Sequence, residues 1–233
     1  MQKDALKSSR LSLFLAGLKA ELPLLIGVFP FGLIYGVLAL EAGIPASAAQ
    51  AMSAIVFAGS SQFITTQLVG NGTPAFVMVL TIFIVNLRHA LYSASIAPYI
   101  SKLSNGWKGL LAYLLTDEAY AIAITHYDRE GSQPNSHWFF LGAGVALWST
   151  WQASTAIGIL VGAVLPTTWS LDFTLSLTFI ALVMPYLKDR PSLGAALAAG
   201  IVAVLGNSLP YKLGLVAAAL VGILVGLLLE KVK

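Results

Sequence analysis

The chain contains no cysteine, and its 233 residues carry only 13 Lys and Arg and 10 Asp and Glu. Without cysteine there are no disulfides and no thiolate metal sites, and the redox compartment cannot be read. A charged fraction of 10%, against roughly 25% in an ordinary soluble domain, excludes a water-soluble globule. Disorder is excluded as well, because 58% of the residues are hydrophobic and the mean hydropathy is +0.83, whereas disordered chains are poor in apolar residues. Also missing are a GxxxxGK[ST] phosphate loop and the HExxH and GxSxG patterns. The chain therefore has no nucleotide engine of its own and none of the familiar hydrolase chemistries. What remains is an integral membrane protein.

The charges are bunched. None falls between Glu41 and Arg88, or between Glu130 and Asp172, and each interval is long enough for two spans of about 20 residues. Gly and Pro are frequent and no apolar/polar alternation occurs, so the spans read as helices rather than barrel strands. Residues 1–21 carry Lys3, Lys7, Arg10 and Lys19 with Leu11, Phe14, Leu15 and Leu18 at helical spacing. The stretch lacks a signal peptide's apolar core and cleavage site, and reads as a cytoplasmic amphipathic helix on the membrane surface. Residues 22–230 read as a single transmembrane domain, followed by a cytoplasmic tail at 231–233.

Turn residues and charges divide that domain into eight spans, approximately 22–41, 47–70, 74–98, 107–127, 137–164, 169–187, 191–208 and 211–230. With the N-terminus inside, cytoplasmic segments hold nine Lys and Arg and outer loops hold three, which places both termini in the cytoplasm. If span two is a re-entrant hairpin, seven spans remain and the bias weakens to seven against five. The expected fold is thus all-α and polytopic, with about eight transmembrane helices (seven in the alternative), some broken at mid-membrane.

Polar groups at mid-membrane depth must be paired or face a cavity. Asn86, Arg88 and His89 lie near the centre of span three, and Asp117 and Glu118 near that of span four. Ser60, Ser61 and Gln62 lie near the centre of span two, and Trp148, Trp151 and Gln152 near that of span five. Four spans thus bring polar residues to one depth. An arginine there costs roughly 2.5–3.5 kcal/mol unless it is compensated, and Asp117 and Glu118 are the carboxylates at matching depth. They form either a structural ion pair or the lining of a substrate pathway. At helical spacing Asn86 and His89 share a face while Arg88 lies about 200° from Asn86, so either two faces are used or the helix unwinds. His89 is a proton-transfer candidate only through its charged neighbours. The small and hydroxylated span two, with Ser53, Gly59, Thr65 and Thr66, reads either as tight helix packing or as a broken helix whose freed amides bind a carboxylate. Trp148 and Trp151 are equally cavity walls or packing. Asp172 and Asn207 sit near span ends, where capping is the default, and Asp172 remains a second-rank candidate.

Several strings then carry a resemblance: Gly27-Val28-Phe29-Pro30-Phe31-Gly32-Leu33-Ile34-Tyr35-Gly36, Val56-Phe57-Ala58-Gly59-Ser60-Ser61-Gln62-Phe63, and Asn86-Leu87-Arg88-His89 with Leu91-Tyr92. Thr116-Asp117-Glu118, Trp151-Gln152 and Leu171-Asp172-Phe173 continue it. In order and spacing, over about residues 20–230, the chain resembles the AzlC family of branched-chain amino acid permeases. The resemblance implies a multi-pass protein of the bacterial inner membrane, not an enzyme, that exports valine, leucine, isoleucine and related hydrophobic amino acids such as methionine. It also implies a small AzlD-type membrane subunit as partner.

Within that frame, Arg88 or the amides near Ser60 would hold the substrate carboxylate, and Asp117 or Glu118 its ammonium. Tyr35, Phe63, Trp148 and Trp151 would wall its side chain. Asn86, Ser61, Gln62 and Gln152 complete the set, with Tyr92 in second rank. No cofactor is expected. Transport would be driven by a proton gradient or the membrane potential, with Asp117, Glu118 and His89 as coupling candidates. The rival readings are a non-transporting assembly subunit and an amino acid channel. Gly32, Tyr35 and Gly36 in span one against Gly158 and Gly162 in span five hint at an internal repeat.

Overall fold

The structure, a computed structural model, describes residues 9–131, 134–164, 187, 189–209 and 213–231. Every regular element among them is helical. In chain order these are α1 (Arg10–Glu41), α2 (Ala46–Ile55), α3 (Gly59–Gly70), α4 (Ala75–Ile100), α5 (Asn105–Tyr113), α6 (Asp117–Glu130), α7 (His137–Gly162), α8 (Arg190–Leu205) and α9 (Leu213–Lys231). A 3₁₀ turn at Gly206–Ser208 extends α8. The chain packs as two compact units, residues 1–72 with 78–167 and residues 73–77 with 168–233.

The expected spans and the helices agree in outline and differ in the number of spans and in where the first helix begins. Among the described residues, Arg10–Glu41, Ala75–Ile100, Arg190–Ser208 and Leu213–Lys231 are long and apolar enough to cross a membrane, so the count of eight is met only in part. Spans two and four are each split into two short helices, α2 with α3 and α5 with α6, as the broken-helix reading of span two expects; that reading assigns no break to span four. The sixth span, with Asp172, lies outside the described residues. Finally, no boundary falls at residues 21/22. From its cap at Ser9, whose hydroxyl accepts the Ser12 amide at 3.1 Å, α1 continues without interruption through Pro23 and Pro30. Of the apolar residues read as a surface stripe, Phe14 and Leu18 lie where α1 packs on Gly142 of α7, while Leu11 and Leu15 are exposed. Ala42 and a left-handed Gly43 (φ 79°) end α1, and Ile44 N–H bonds back to the Ala39 carbonyl at 2.9 Å, a glycine-terminated helix end.

The α1–α7 seam is made by glycines. A Cβ at Gly17 would overlap the Phe139 carbonyl, and one at Gly142 the Phe14 carbonyl. Further along, a Cβ at Gly36 would meet Thr155 and Ile159 backbone, and one at Gly158 the Leu33 carbonyl. Partner numbers rise together, so α1 and α7 run parallel with their backbones in contact, the small-residue packing typical of helices in lipid. Gly32, Gly36 and Gly158, which hinted at a repeat, are opposing sides of this one seam. In the second unit α8 and α9 form an antiparallel pair by the same device: a Cβ at Gly206 would lie 2.7 Å from Gly214 Cα, and one at Gly222 3.0 Å from Ala199 Cβ. Leu197, Ile201, Leu220 and Leu227 are exposed on this pair, as lipid-facing residues would be.

The seam yields a controlled test. Gly158→Ala forces α1 and α7 apart and should destabilise the purified protein by about 1–3 kcal/mol, the usual cost of overpacking. Gly27→Ala, on the same α1 but with nothing within 4 Å of the added carbon, should leave the melting temperature unchanged or raise it slightly. Thermal melts in detergent compare the two directly.

Candidate functional site

The two broken spans supply the site. Between α2 and α3 the chain opens at Val56–Ala58, where Phe57 takes a left-handed φ of 44°. Such a conformation costs a side-chain-bearing residue roughly 1–3 kcal/mol. Phe57 is held there by burial and by the Tyr113 ring 5.9 Å away. The first three amides of α3, those of Gly59, Ser60 and Ser61, point out of a helix end with no side-chain cap. Between α5 and α6 the chain opens at Leu114–Thr116. Thr116 caps α6 by accepting the Ala119 amide at 3.3 Å, and Asp117 and Glu118 occupy the first turn, where the positive end of a helix favours carboxylates.

Unbroken α4 passes both openings and places Arg88 between them. The Arg88 guanidinium pairs with Asp117, the first residue of α6, and donates to Ser60 Oγ, in the first turn of α3, at 2.6 Å. The Ser61 hydroxyl donates to Asn86 Oδ1, also at 2.6 Å. Both faces of the Asn-Leu-Arg-His string are therefore used without unwinding the helix. The pair is not sealed: the Arg88 and Asp117 side chains are 28% and 35% exposed. Arg88 Nε and Asp117 Oδ1 have no hydrogen-bond partner. His89 stays local, its Nδ1 3.3 Å from the Asn86 carbonyl and its ring edge-on to Tyr92. Tyr92 stacks on Tyr120 at 4.6 Å.

A second cluster lies on the other side of α3 and is closed. The Ser53 hydroxyl accepts from Gln62 Nε2 at 2.8 Å and from Trp151 Nε1 at 3.1 Å. With both lone pairs used, its proton goes to Thr155 Oγ1 at 2.9 Å. Trp151 Nε1 also reaches Gln62 Oε1 at 3.1 Å. Gln152 donates to the Ser53 carbonyl at 2.9 Å and accepts from Gln50 at 2.8 Å. The Tyr35 ring stacks on Trp151 at 6.2 Å with its hydroxyl on the Ala49 carbonyl at 3.0 Å, and Phe63 meets Tyr35 edge-on at 6.0 Å. A Cβ at Gly59 would lie 3.0 Å from the Trp151 ring, so glycine there lets the ring reach the helix start.

The structure thus gathers Arg88, Asp117, Ser60, Ser61 and Asn86 at one junction and Tyr35, Phe63, Gln62, Trp151 and Gln152 at another, joined by four consecutive residues of α3. Trp148 belongs to neither junction. Its Nε1 donates to the Tyr113 hydroxyl at 2.6 Å, which in turn donates to the Ala54 carbonyl. Sequence reasoning passed over Ser53 as a hub, and Gln50 and Thr155 as its companions. The signal was available in the helical i, i+3 and i, i+4 spacing of Gln50 with Ser53 and of Trp151 with Thr155. A cavity of about 400 Å³ between α4, α5 and α7 begins at Ser93, one turn beyond His89, and is lined by Ile96, Lys108, Leu111 and Phe140.

Because Ser53 serves three partners, Ser53→Ala should destabilise the protein by about 1–3 kcal/mol, the penalty for stranding buried polar groups. Thr155→Val, which removes one of those bonds at nearly constant shape, should cost distinctly less. Equal losses in detergent melts would mean that the hydroxyl is not shared.

Comparison with known proteins follows the same residues. A family model described as AzlC protein matches residues 23–165. The chain is 32% identical over 219 residues to a membrane protein of Archaeoglobus fulgidus, covering 92% of this chain and 94% of that one. It is 29% identical over 208 residues to the inner membrane protein YgaZ of Escherichia coli K12, covering 86% and 84%. With the branched-chain amino acid transport protein AzlC of Bacillus subtilis it shares 27% over 184 residues, covering 77% and 70%. No solved structure matches. A match over more than half the chain, with a relative above 30% identity along nearly all of it, makes this membrane protein a member of the AzlC family.

Proposed function

We propose that the chain is a secondary exporter of branched-chain and related hydrophobic amino acids, valine, leucine, isoleucine and methionine, across the cytoplasmic membrane. In this reading it works with a small AzlD-type subunit and keeps both termini in the cytoplasm. The observation that carries the reading is the junction at Arg88, where one cationic side chain on a continuous helix meets the N-terminal turns of two half-helices. Positive helix ends and a guanidinium suit a carboxylate. Asp117, with one oxygen unpartnered, and Glu118 beside it suit an ammonium. A zwitterion takes both, and its aliphatic part lies toward Tyr35, Phe63 and Trp151. In the conformation described, Tyr35, Phe63 and Trp151 are buried, so binding requires the α3 start to shift and open that wall. Asn86, Ser61, Gln62 and Gln152 position the helix start that moves. The gradient of protons or of membrane potential supplies the energy, and Asp117, Glu118 and His89 lie where charge would change. The positive-inside count supports the orientation, and the family name of the Bacillus subtilis relative supports the substrate class.

Export of labelled valine from preloaded cells, with and without the small subunit, tests this reading. Arg88→Ala should lower export by roughly tenfold or more at normal membrane levels, as expected for truncating one side of a partly buried charge pair. Unchanged export would make Arg88 structural and remove the junction from the substrate path. In liposomes, saturable counterflow of valine marks a carrier, and flux that does not saturate marks a channel.

A further inference from the structure

One carboxyl group is left over by the site just described. Glu21, in the N-terminal half of α1, is wholly buried, and neither of its carboxyl oxygens has a hydrogen-bond partner. The elements packed on α1 are α2, α3, α6 and α7. Of these, α2 and α3 carry no titratable side chain, and α7 carries only His137 at its start. On α1 itself the nearest cation, Lys19, is exposed to solvent. The titratable groups of α6 are Asp117, Glu118, Tyr120, His126, Tyr127, Asp128, Arg129 and Glu130; its start lies near the level of Glu21, since Leu114, just before it, packs on Gly144 of α7 and Leu18 of α1 packs on Gly142, and Asp117 and Glu118 form its first turn. A bare carboxylate without a donor or counter-charge is not tolerated in such a place, whereas the neutral acid is.

We propose, on the exporter reading above, that Glu21 is the proton-carrying group of this transporter and that it is linked through Glu118 to the Arg88–Asp117 junction. Repulsion between the two carboxylates keeps the proton on Glu21 while Glu118 is uncompensated. An ammonium group held at Asp117 or Glu118 weakens that repulsion and eases the proton away. By reciprocity the proton on Glu21 opposes the ammonium. Proton and amino acid then occupy the protein alternately. A proton from water on the outer side bonds to a Glu21 carboxylate oxygen and is given back to water on the inner side, in exchange for one amino acid moved out. Loading and unloading require the α1–α6 contact to open.

The test uses the purified chain, with its small subunit, in liposomes enclosing a pH-sensitive dye. The wild type should show valine counterflow and valine-dependent proton movement. Glu21→Gln, which keeps the shape of the protonated acid, should retain counterflow while valine-dependent proton movement falls by about tenfold or more. Persistent proton movement in the variant, or counterflow without proton movement in the wild type, overturns the proposal and leaves the exporter reading standing. Absence of counterflow in the wild type overturns the exporter reading and this proposal with it. Infrared spectra decide independently of the variant's assembly: a buried carboxylic-acid band in the wild type at neutral pH is required, and its absence refutes a protonated Glu21.

Discussion

A guanidinium carried into the apolar middle of a helix must find a counter-charge and donors' partners there, and the architecture of the first unit follows from how Arg88 finds them. Regular helices on either side would offer only satisfied backbone and apolar surface. Breaking two of them turns helix starts, with a serine hydroxyl at one and a carboxylate at the other, toward α4. The breaks have a cost of their own, visible in the left-handed Phe57, and the ion pair with its hydrogen bonds offsets it. Charge and broken backbone each make the other tolerable.

The rest of the unit holds those helix starts in register. The glycine seam between α1 and α7 brings backbones into contact, and close-packed interfaces of this kind shift between discrete states rather than deform. Ser53 ties α2, α3 and α7 together through hydroxyl, amide and indole groups. By contrast, α4 meets its neighbours through side chains at intervals: Asn86, Arg88, Ser95 with Tyr120, and Tyr99 with Asp128 and Tyr127. It is exposed along most of its length, with Phe76, Phe83, Leu87 and Leu91 on its surface. Contacts made of polar side chains at intervals open more readily than a backbone seam, which identifies the α4 junction as the element suited to rearrangement.

Much of this was legible in the sequence, for identifiable reasons. Gaps between charges bounded most of the described helices within a few residues, because the cost of charge in hydrocarbon is large, but missed the start of α1 at Arg10. The same cost pointed from Arg88 to Asp117 or Glu118, and the Gly-Ser run favoured the break before α3. The second break was missed although Thr116 followed by two acids is a helix-start signal; a span-length apolar window hid it. Glu21 was read as the end of a surface helix because Lys19 and Glu21 interrupt a short apolar stretch. Only the tertiary seam with α7 and α6 buries it. The glycine pattern shared by α1 and α7 was visible, but whether similar strings stack on each other or merely repeat is a property of packing that a linear pattern does not carry.

The chemistry of the junction also argues for the kind of ligand it admits. Pulling Arg88 and Asp117 apart without replacement would leave two partly buried charges unmatched, at a cost of roughly 3–5 kcal/mol. A lone anion would satisfy Arg88 and abandon Asp117, and a lone cation would do the reverse. A zwitterion inserted between them replaces one ion pair by two, so every charge stays matched while the gap widens. On the proposed function, opening the α4 contact and binding an amino acid would be one event. An empty junction would stay closed, the property the proposed exporter needs if its open pathway is not to become a leak.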